Sequence, residues 1–115
     1  MPSILITGAN RGLGLEFCKQ YAAQNWHIYA TCRDVAAARA GELGRLAEKL
    51  GDSLEIQSLD VADGDSVAAA AAAHGNRPVD LLLNNAGVIG DRASRLGAMD
   101  YQAWMRCLEI NVLGP

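Results

Sequence analysis

The chain has 115 residues, half of them apolar and a fifth charged, with two Trp, three Tyr and one Phe. That is the profile of one ordinary globular domain with a single modest core. The formal charge of −3, with lysine only at Lys19 and Lys49, argues against a nucleic-acid partner, which needs clustered cations. The three cysteines, Cys18, Cys32 and Cys107, are odd in number and lack paired spacing. They make neither a disulfide framework nor a zinc site, and the expectation is buried, reduced thiols with no bound metal. No basic leader follows Met1-Pro2-Ser3 and no apolar run reaches the length of a membrane span, so a cytoplasmic protein without a membrane partner is expected.

In chain order, Ser3 to Thr7 is a strand-length apolar run ended by Gly8. A helix is predicted from about Gly12 to Gln24, with Leu13, Phe17 and Tyr21 on one face. Trp26 to Cys32 is a second strand. Ala36 to Leu50 is rich in helix formers, with Gly41 and Gly44 as weak spots. Leu54 to Leu59 is a third strand, and Asp63 can cap a helix that carries the alanines from Ala68 to Ala73 and ends near Gly75. Val79 to Leu83 is the most continuously apolar strand and suits a central position, covered on both sides. An irregular segment over 88–98 follows, then a helix from about Asp100 with Trp104, Leu108 and Asn111 on a shared face. Strands alternating with helices imply right-handed βαβ units and a doubly wound parallel α/β sheet. The predicted strand order is 3-2-1-4, with helices on both faces.

Thr7-Gly8-Ala9-Asn10-Arg11-Gly12-Leu13-Gly14 sits between the first strand and the first helix, where a phosphate-binding turn belongs. Gly8 permits the tight turn, Gly12 lets backbone approach a pyrophosphate, and Gly14 lets the helix pack close to the sheet. The helix N-terminus adds free N–H groups and the positive end of its dipole. No Gly-Lys-Ser/Thr is present, which excludes a P-loop.

These residues resemble the glycine motif of classical short-chain dehydrogenases/reductases. Asn84-Asn85-Ala86-Gly87, directly after the fourth strand, is similar to that family's second signature, and Asn111 falls where it places a helix asparagine. The stretch ITGANRGLGLEFC is similar to carbonyl-reductase-like, C-factor and sniffer-type members. The resemblance covers essentially the whole of 1–115 as a partial NAD(P)-binding Rossmann domain, the N-terminal portion of such an enzyme. It implies coenzyme contacts from Gly8, Asn10, Arg11, Gly12, Leu13, Gly14, Arg33, Asp60, Val61, Asn85, Ala86 and Gly87. It also implies a brace to the sheet from Asn84, an adenine contact from Asp60, a water held in a proton relay by Asn111, and a homo-oligomer. Read without it, Asp60 is equally a solvated turn residue, Asn84-Asn85 a polar turn, and Asn111 the C-terminal residue of a helix stopped by Gly114.

Charge bears on the choice of coenzyme. A free ribose 2′-hydroxyl is usually held by a carboxylate at the end of the second strand, and a 2′-phosphate by cations there. Cys32 stands where NAD-preferring relatives carry the acid, Arg33 follows it, and Arg11 lies in the glycine loop. Arginine's planar fork suits phosphate, so NADP(H) is favoured over NAD(H), although Asp34 adjoins Arg33.

In the family a Tyr protonates a small-molecule carbonyl substrate, aided by a Lys four residues on and a Ser. An unassisted phenol, with pKa of about 10, is a poor proton shuttle at neutral pH. Four residues beyond Tyr21, Tyr29 and Tyr101 stand Asn25, Arg33 and Met105, so no Tyr-x-x-x-Lys occurs here. Hydride transfer between NADPH and a carbonyl is therefore expected of an enzyme of which this is the coenzyme-binding part, inactive alone. The alternative is a non-catalytic NADP-binding or interaction module. A methyltransferase-like domain fits poorly, because its ribose-binding acid belongs where Cys32-Arg33 stands.

Overall fold

The computed structural model describes residues 1–88, 97–98 and 100–115. Strands β1 (Ser3–Ile6), β2 (His27–Cys32), β3 (Leu54–Ser58) and β4 (Leu81–Leu83) form one parallel sheet in the order β3-β2-β1-β4. The helices are α1 (Gly12–Ala23), α2 (Val35–Ala40), α3 (Glu42–Leu50), α4 (Gly64–His74) and α5 (Tyr101–Leu108). The expected irregular segment over 88–98 lies largely outside the described residues.

Period-two alternation assigns the two faces. Ile4, Ile6, Ile28, Ala30, Cys32, Leu54 and Ile56 point to one side, where they form the core with Leu15 and Cys18 of α1 and Leu43 of α3. On the other side the register aligns Leu82, Leu5, Tyr29 and Glu55 in one row, and α4 covers the Tyr29 end of it. The His74 ring packs edge-on to Tyr29 with centroids 4.6 Å apart. No residue of α4 is buried, so polar groups at its two ends hold it. Asp63 caps the start, accepting from the Asp65 and Ser66 N–H groups. At the other end His74 Nε2 donates to the Arg77 carbonyl (3.0 Å) and Arg77 Nε donates back to the His74 carbonyl (2.9 Å). The Arg77 guanidinium lies 5.0 Å from the Tyr29 ring centroid and donates to both Glu55 oxygens, at 2.6 and 3.3 Å.

Several expectations change. The helix predicted over Ala36 to Leu50 is two helices, broken at Gly41, which adopts an extended conformation (φ −105°, ψ −158°) between them. Close approach fixes the second start, because a Cβ on Gly44 would run into the Arg39 backbone carbonyl. β4 is shorter than predicted and lies at the sheet edge, paired with β1 alone among the described strands. The sheet winds outward from β1 through β2 to β3 before the chain crosses back, so the fourth strand joins last and on the far side. Leu83 reaches the core, but Leu82 is 56% exposed. On α1 the buried residues are Gly14, Leu15 and Cys18. Leu13 stays 71% exposed. Cys107 is half-buried, unlike Cys18 and Cys32.

Candidate functional site

The carboxyl ends of the strands are tied together by backbone and hydroxyl groups. Thr7, buried at the end of β1, accepts through Oγ1 from the Asn85 N–H (3.0 Å) and the Ala86 N–H (2.9 Å). Asn85 Nδ2 in turn donates to the Thr7 carbonyl (3.1 Å) and the Gly8 carbonyl (3.2 Å). The bracing expected of Asn84 thus belongs to its neighbour, and Asn84 itself is exposed. β4 ends at Leu83, and the Asn85 N–H also reaches the Leu83 carbonyl (3.0 Å), a tight turn at Asn84 that carries Asn85 to the loop from β1. Across the next strand pair, the Ala9 N–H donates to the Thr31 carbonyl (2.9 Å) and Thr31 Oγ1 donates to the Ile6 carbonyl (3.0 Å).

Gly8 and Gly12 adopt left-handed backbone (φ +64° and +55°), and a Cβ on Gly8 would lie 2.9 Å from the Ala86 Cα. Gly14 is buried beneath the loop. A side chain there would strike the Gly8 carbonyl and come within 2.7 Å of Asn85 Nδ2. The glycines therefore let the loop fold flat over the end of β1 and begin α1 with its first N–H groups free of intrahelical partners.

A cavity of about 560 Å³ opens where these ends meet. The glycine loop contributes Gly8, Asn10, Arg11, Gly12 and Leu13, and the end of β2 contributes Cys32, Arg33 and Asp34. Leu59, Asp60 and Val61 come from beyond β3, Asn85 to Val88 from beyond β4, and Ile110 from the segment after α5. Of the coenzyme contacts expected from sequence, all but Gly14 line this cavity. The alternation pattern did not point to Leu59, Val88 or Ile110, which arrive from three separate parts of the chain.

Charges around the cavity differ in how they are held. Asp60 Oδ1 accepts from the Ala62 N–H (3.0 Å), so this carboxylate is engaged within its own turn. Asp34 caps α2, its Oδ1 accepting from the Ala37 N–H (3.0 Å). Arg11 and Arg33 are exposed, and their side chains make no hydrogen bond or ion pair among the described residues. Burial pushes the Cys32 thiol up, Asp34 adds to that, and Arg39 opposes it; the position therefore presents an uncharged group.

Asn111 does not line the cavity but grips a residue that does. It lies in a π turn, Glu109–Leu113, continuing α5. Its Oδ1 accepts from the Val88 N–H (2.8 Å) and its Nδ2 donates to the Val88 carbonyl (2.9 Å). The π turn breaks the α-helical spacing that set Asn111 on the face of Trp104 and Leu108. Those two remain about half exposed, and Ile110 is the buried residue. No group of three or more His, Cys, Asp or Glu suited to a metal occurs among the described residues, and no helix of theirs is long and apolar enough to cross a membrane.

A parallel sheet in the order 3-2-1-4, with a glycine-rich turn and a cavity at its carboxyl edge, defines the doubly wound Rossmann class. Residues 2–115 match the model of the short chain dehydrogenase family. Estradiol 17-beta-dehydrogenase 1 of Rattus norvegicus is 40% identical over 119 residues, covering 96% of this chain and 33% of that protein. Galactitol 2-dehydrogenase (L-tagatose-forming) of Cereibacter sphaeroides is 34% identical over 111 residues, covering 95% and 41%. The structure of a carbonyl reductase from Pseudomonas aeruginosa PAO1 in complex with NADP superposes with a TM-score of 0.88 at 26% identity, over 100% of this chain and 51% of that one. The chain belongs to the short chain dehydrogenase family of oxidoreductases. It spans between 33% and 51% of the length of these three relatives.

Proposed function

We propose that this chain is the coenzyme-binding part, residues 1–115, of an NADP-dependent oxidoreductase that moves hydride between NADPH and a small-molecule carbonyl compound. The observation that carries the proposal is the charge arrangement of the cavity. Two arginines whose side chains have no partner among the described residues, Arg11 and Arg33, line it, while the end of β2 offers the neutral Cys32 in place of an acid. A 2′-phosphate suits that arrangement better than a free 2′-hydroxyl does.

The residues fit the coenzyme in shape as well. Gly8 and Gly12 bring bare backbone and the start of α1 to a pyrophosphate, with Asn10 and Leu13 beside it. Asp60 and Val61 would flank the adenine, and Ala86 and Gly87 would let the nicotinamide half pass with little side chain in the way. NADPH, when bound, supplies the hydride. Asn111, whose side chain bonds the Val88 backbone at both polar ends, would hold the relay water that the resemblance implies. The proton donor to the carbonyl would come from residues outside these 115. We place the protein in the cytoplasm, a reducing compartment that suits three free cysteines. A homo-oligomer is supported by the exposed Trp104, Met105 and Leu108.

Fluorescence titration with NADPH and NADH tests the reading. NADPH should bind more tightly, and Arg33→Ala should narrow the gap; equal affinities would contradict it. A non-catalytic NADP-binding module is favoured instead if the protein extended beyond these residues binds NADPH but shows no Tyr-x-x-x-Lys.

A further inference from the structure

Arg33 and Asp34 are adjacent and of opposite charge, and both line the cavity, yet they form no ion pair. The reason lies in α2. The Asp34 carboxylate turns toward the first turn of that helix and accepts from the Ala37 N–H at 3.0 Å, while the Asp34 carbonyl accepts from the Ala38 N–H at 3.0 Å. A short side chain with Oδ1 committed in this way does not also lie along the Arg33 guanidinium. An acid two residues past the end of β2 is chemically able to do two other things. It could pair with Arg33 and cancel its charge, or it could accept from a ribose hydroxyl and favour the non-phosphorylated coenzyme. The cap ties one of the two carboxylate oxygens that either role would use and so fixes where the group lies.

We propose that Asp34 is a specificity-determining positioning residue. By capping α2 it keeps its carboxylate off Arg33 and off the ribose, and so preserves the cationic character on which preference for a 2′-phosphate depends. This rests on the NADP reading above. The cap is a switch point in the electrostatics: the same negative charge, released from the Ala37 N–H, would oppose the phosphate from within the cavity.

Three variants separate charge from position, each read as the ratio of NADPH to NADH affinity by fluorescence titration. The ratio is insensitive to the fraction of folded protein. Asp34→Asn keeps an acceptor for the Ala37 N–H but removes the charge, and should tighten NADPH on the order of threefold with NADH unchanged. Ala37→Pro keeps the charge and removes the N–H it is tied to, at the third helical position of α2, where that N–H has no partner within the helix. It should lower the ratio on the order of three- to tenfold. Asp34→Ala, lacking both charge and acceptor, should keep a ratio at or above wild type while lowering the melting temperature, and Asp34→Asn should restore that temperature.

An unchanged ratio in Ala37→Pro overturns the proposal. Loss of NADH affinity in Asp34→Asn with NADPH unaffected also overturns it, because Asp34 would then be a ribose ligand. A wild type with equal affinities for both coenzymes would sink the NADP reading alone. The cap is judged by the shift between wild type and variants, whatever the starting ratio. Binding of neither coenzyme by the wild type would overturn both.

Discussion

Asn111 holds the backbone of Val88 at two points, its Oδ1 accepting from the N–H at 2.8 Å and its Nδ2 donating to the carbonyl at 2.9 Å. Val88 lines the cavity, and a Cβ on the preceding Gly87 would sit 3.2 Å from Asn111 Oδ1. A residue in a π turn thereby fixes the strand extension that forms one wall of the site. Truncation to Asn111→Ala removes both bonds from partly solvated groups, so a loss of about 1–2 kcal/mol is expected. Urea denaturation would measure it, and hydrogen exchange of the Val88 amide should quicken with it. An exchange rate equal to wild type would show that the clamp does not hold the strand.

The glycine loop makes a prediction that discriminates between its members. Gly14→Ala drives a Cβ into the Gly8 carbonyl, a backbone atom with no room to yield, and should cost about 3 kcal/mol or prevent folding. At Gly12 nothing lies within 4 Å of an added Cβ, and the cost is the left-handed φ of +55° alone, about 1–2 kcal/mol. Equal losses for the two alanine variants would contradict the packing described for Gly14.

The thiols should differ sharply in reactivity. Burial pushes Cys18 up to about 12 and raises Cys32 as well, so neither offers a thiolate near neutral pH. Cys107 is half-buried. Iodoacetamide at mildly alkaline pH should therefore label Cys107 first and Cys18 only on unfolding, as read by peptide mass spectrometry. Fast labelling of Cys18 in the folded chain would be inconsistent with its place in the core.

Acid should weaken the attachment of α4. Hydrogen bonds from Arg77 hold Glu55 below its ordinary carboxylate value, with burial opposing them. A depressed carboxylate stabilises the fold fully above the unfolded value, about 4.3, and that contribution is lost as pH falls through the lower folded value. The pair is about 40% exposed on each side, so the effect is small. Thermal melts between pH 6 and 3 should nevertheless fall more steeply for wild type than for Arg77→Met; parallel curves would mean that the pair contributes nothing.

Expressed alone, the 115 residues should neither reduce carbonyl compounds nor behave as a monodisperse monomer. No Tyr-x-x-x-Lys is present to protonate the product. β4 presents one unpaired edge among the described strands, with Leu81 and Leu82 exposed, and an apolar edge of that kind invites pairing between chains. Light scattering and an NADPH-oxidation assay with aldehydes, ketones and quinones would test both. A clean monomer would defeat the edge-strand argument, and steady turnover abolished by Asn111→Ala would defeat the expectation of inactivity.

Local pattern was enough for much of this molecule. Short apolar runs located the four strands, and glycine spacing located the turn after β1, because both depend on neighbours within a few residues. Alternation with helices then implied a parallel sheet of right-handed units, and the order 3-2-1-4 was an expectation of the dinucleotide-binding fold that the glycine turn suggests. Composition also separated the charge at Arg33 from the neutral Cys32. Contacts across long stretches of chain were decided by tertiary structure. Asn85 rather than Asn84 braces Thr7, because a tight turn closed by the Asn85 N–H on the Leu83 carbonyl carries Asn85 to the loop from β1. Gly41, and not merely a weak helical position, divides α2 from α3 because Gly44 must pass against the Arg39 backbone. Asn111 finds Val88 across 23 residues of sequence because a π turn rotates it off the helical face that periodicity assigned. The fate of Asp34, tied to Ala37 and not to Arg33, depended on the helix that begins beside it: a carboxylate takes the partner that the folded backbone brings within reach.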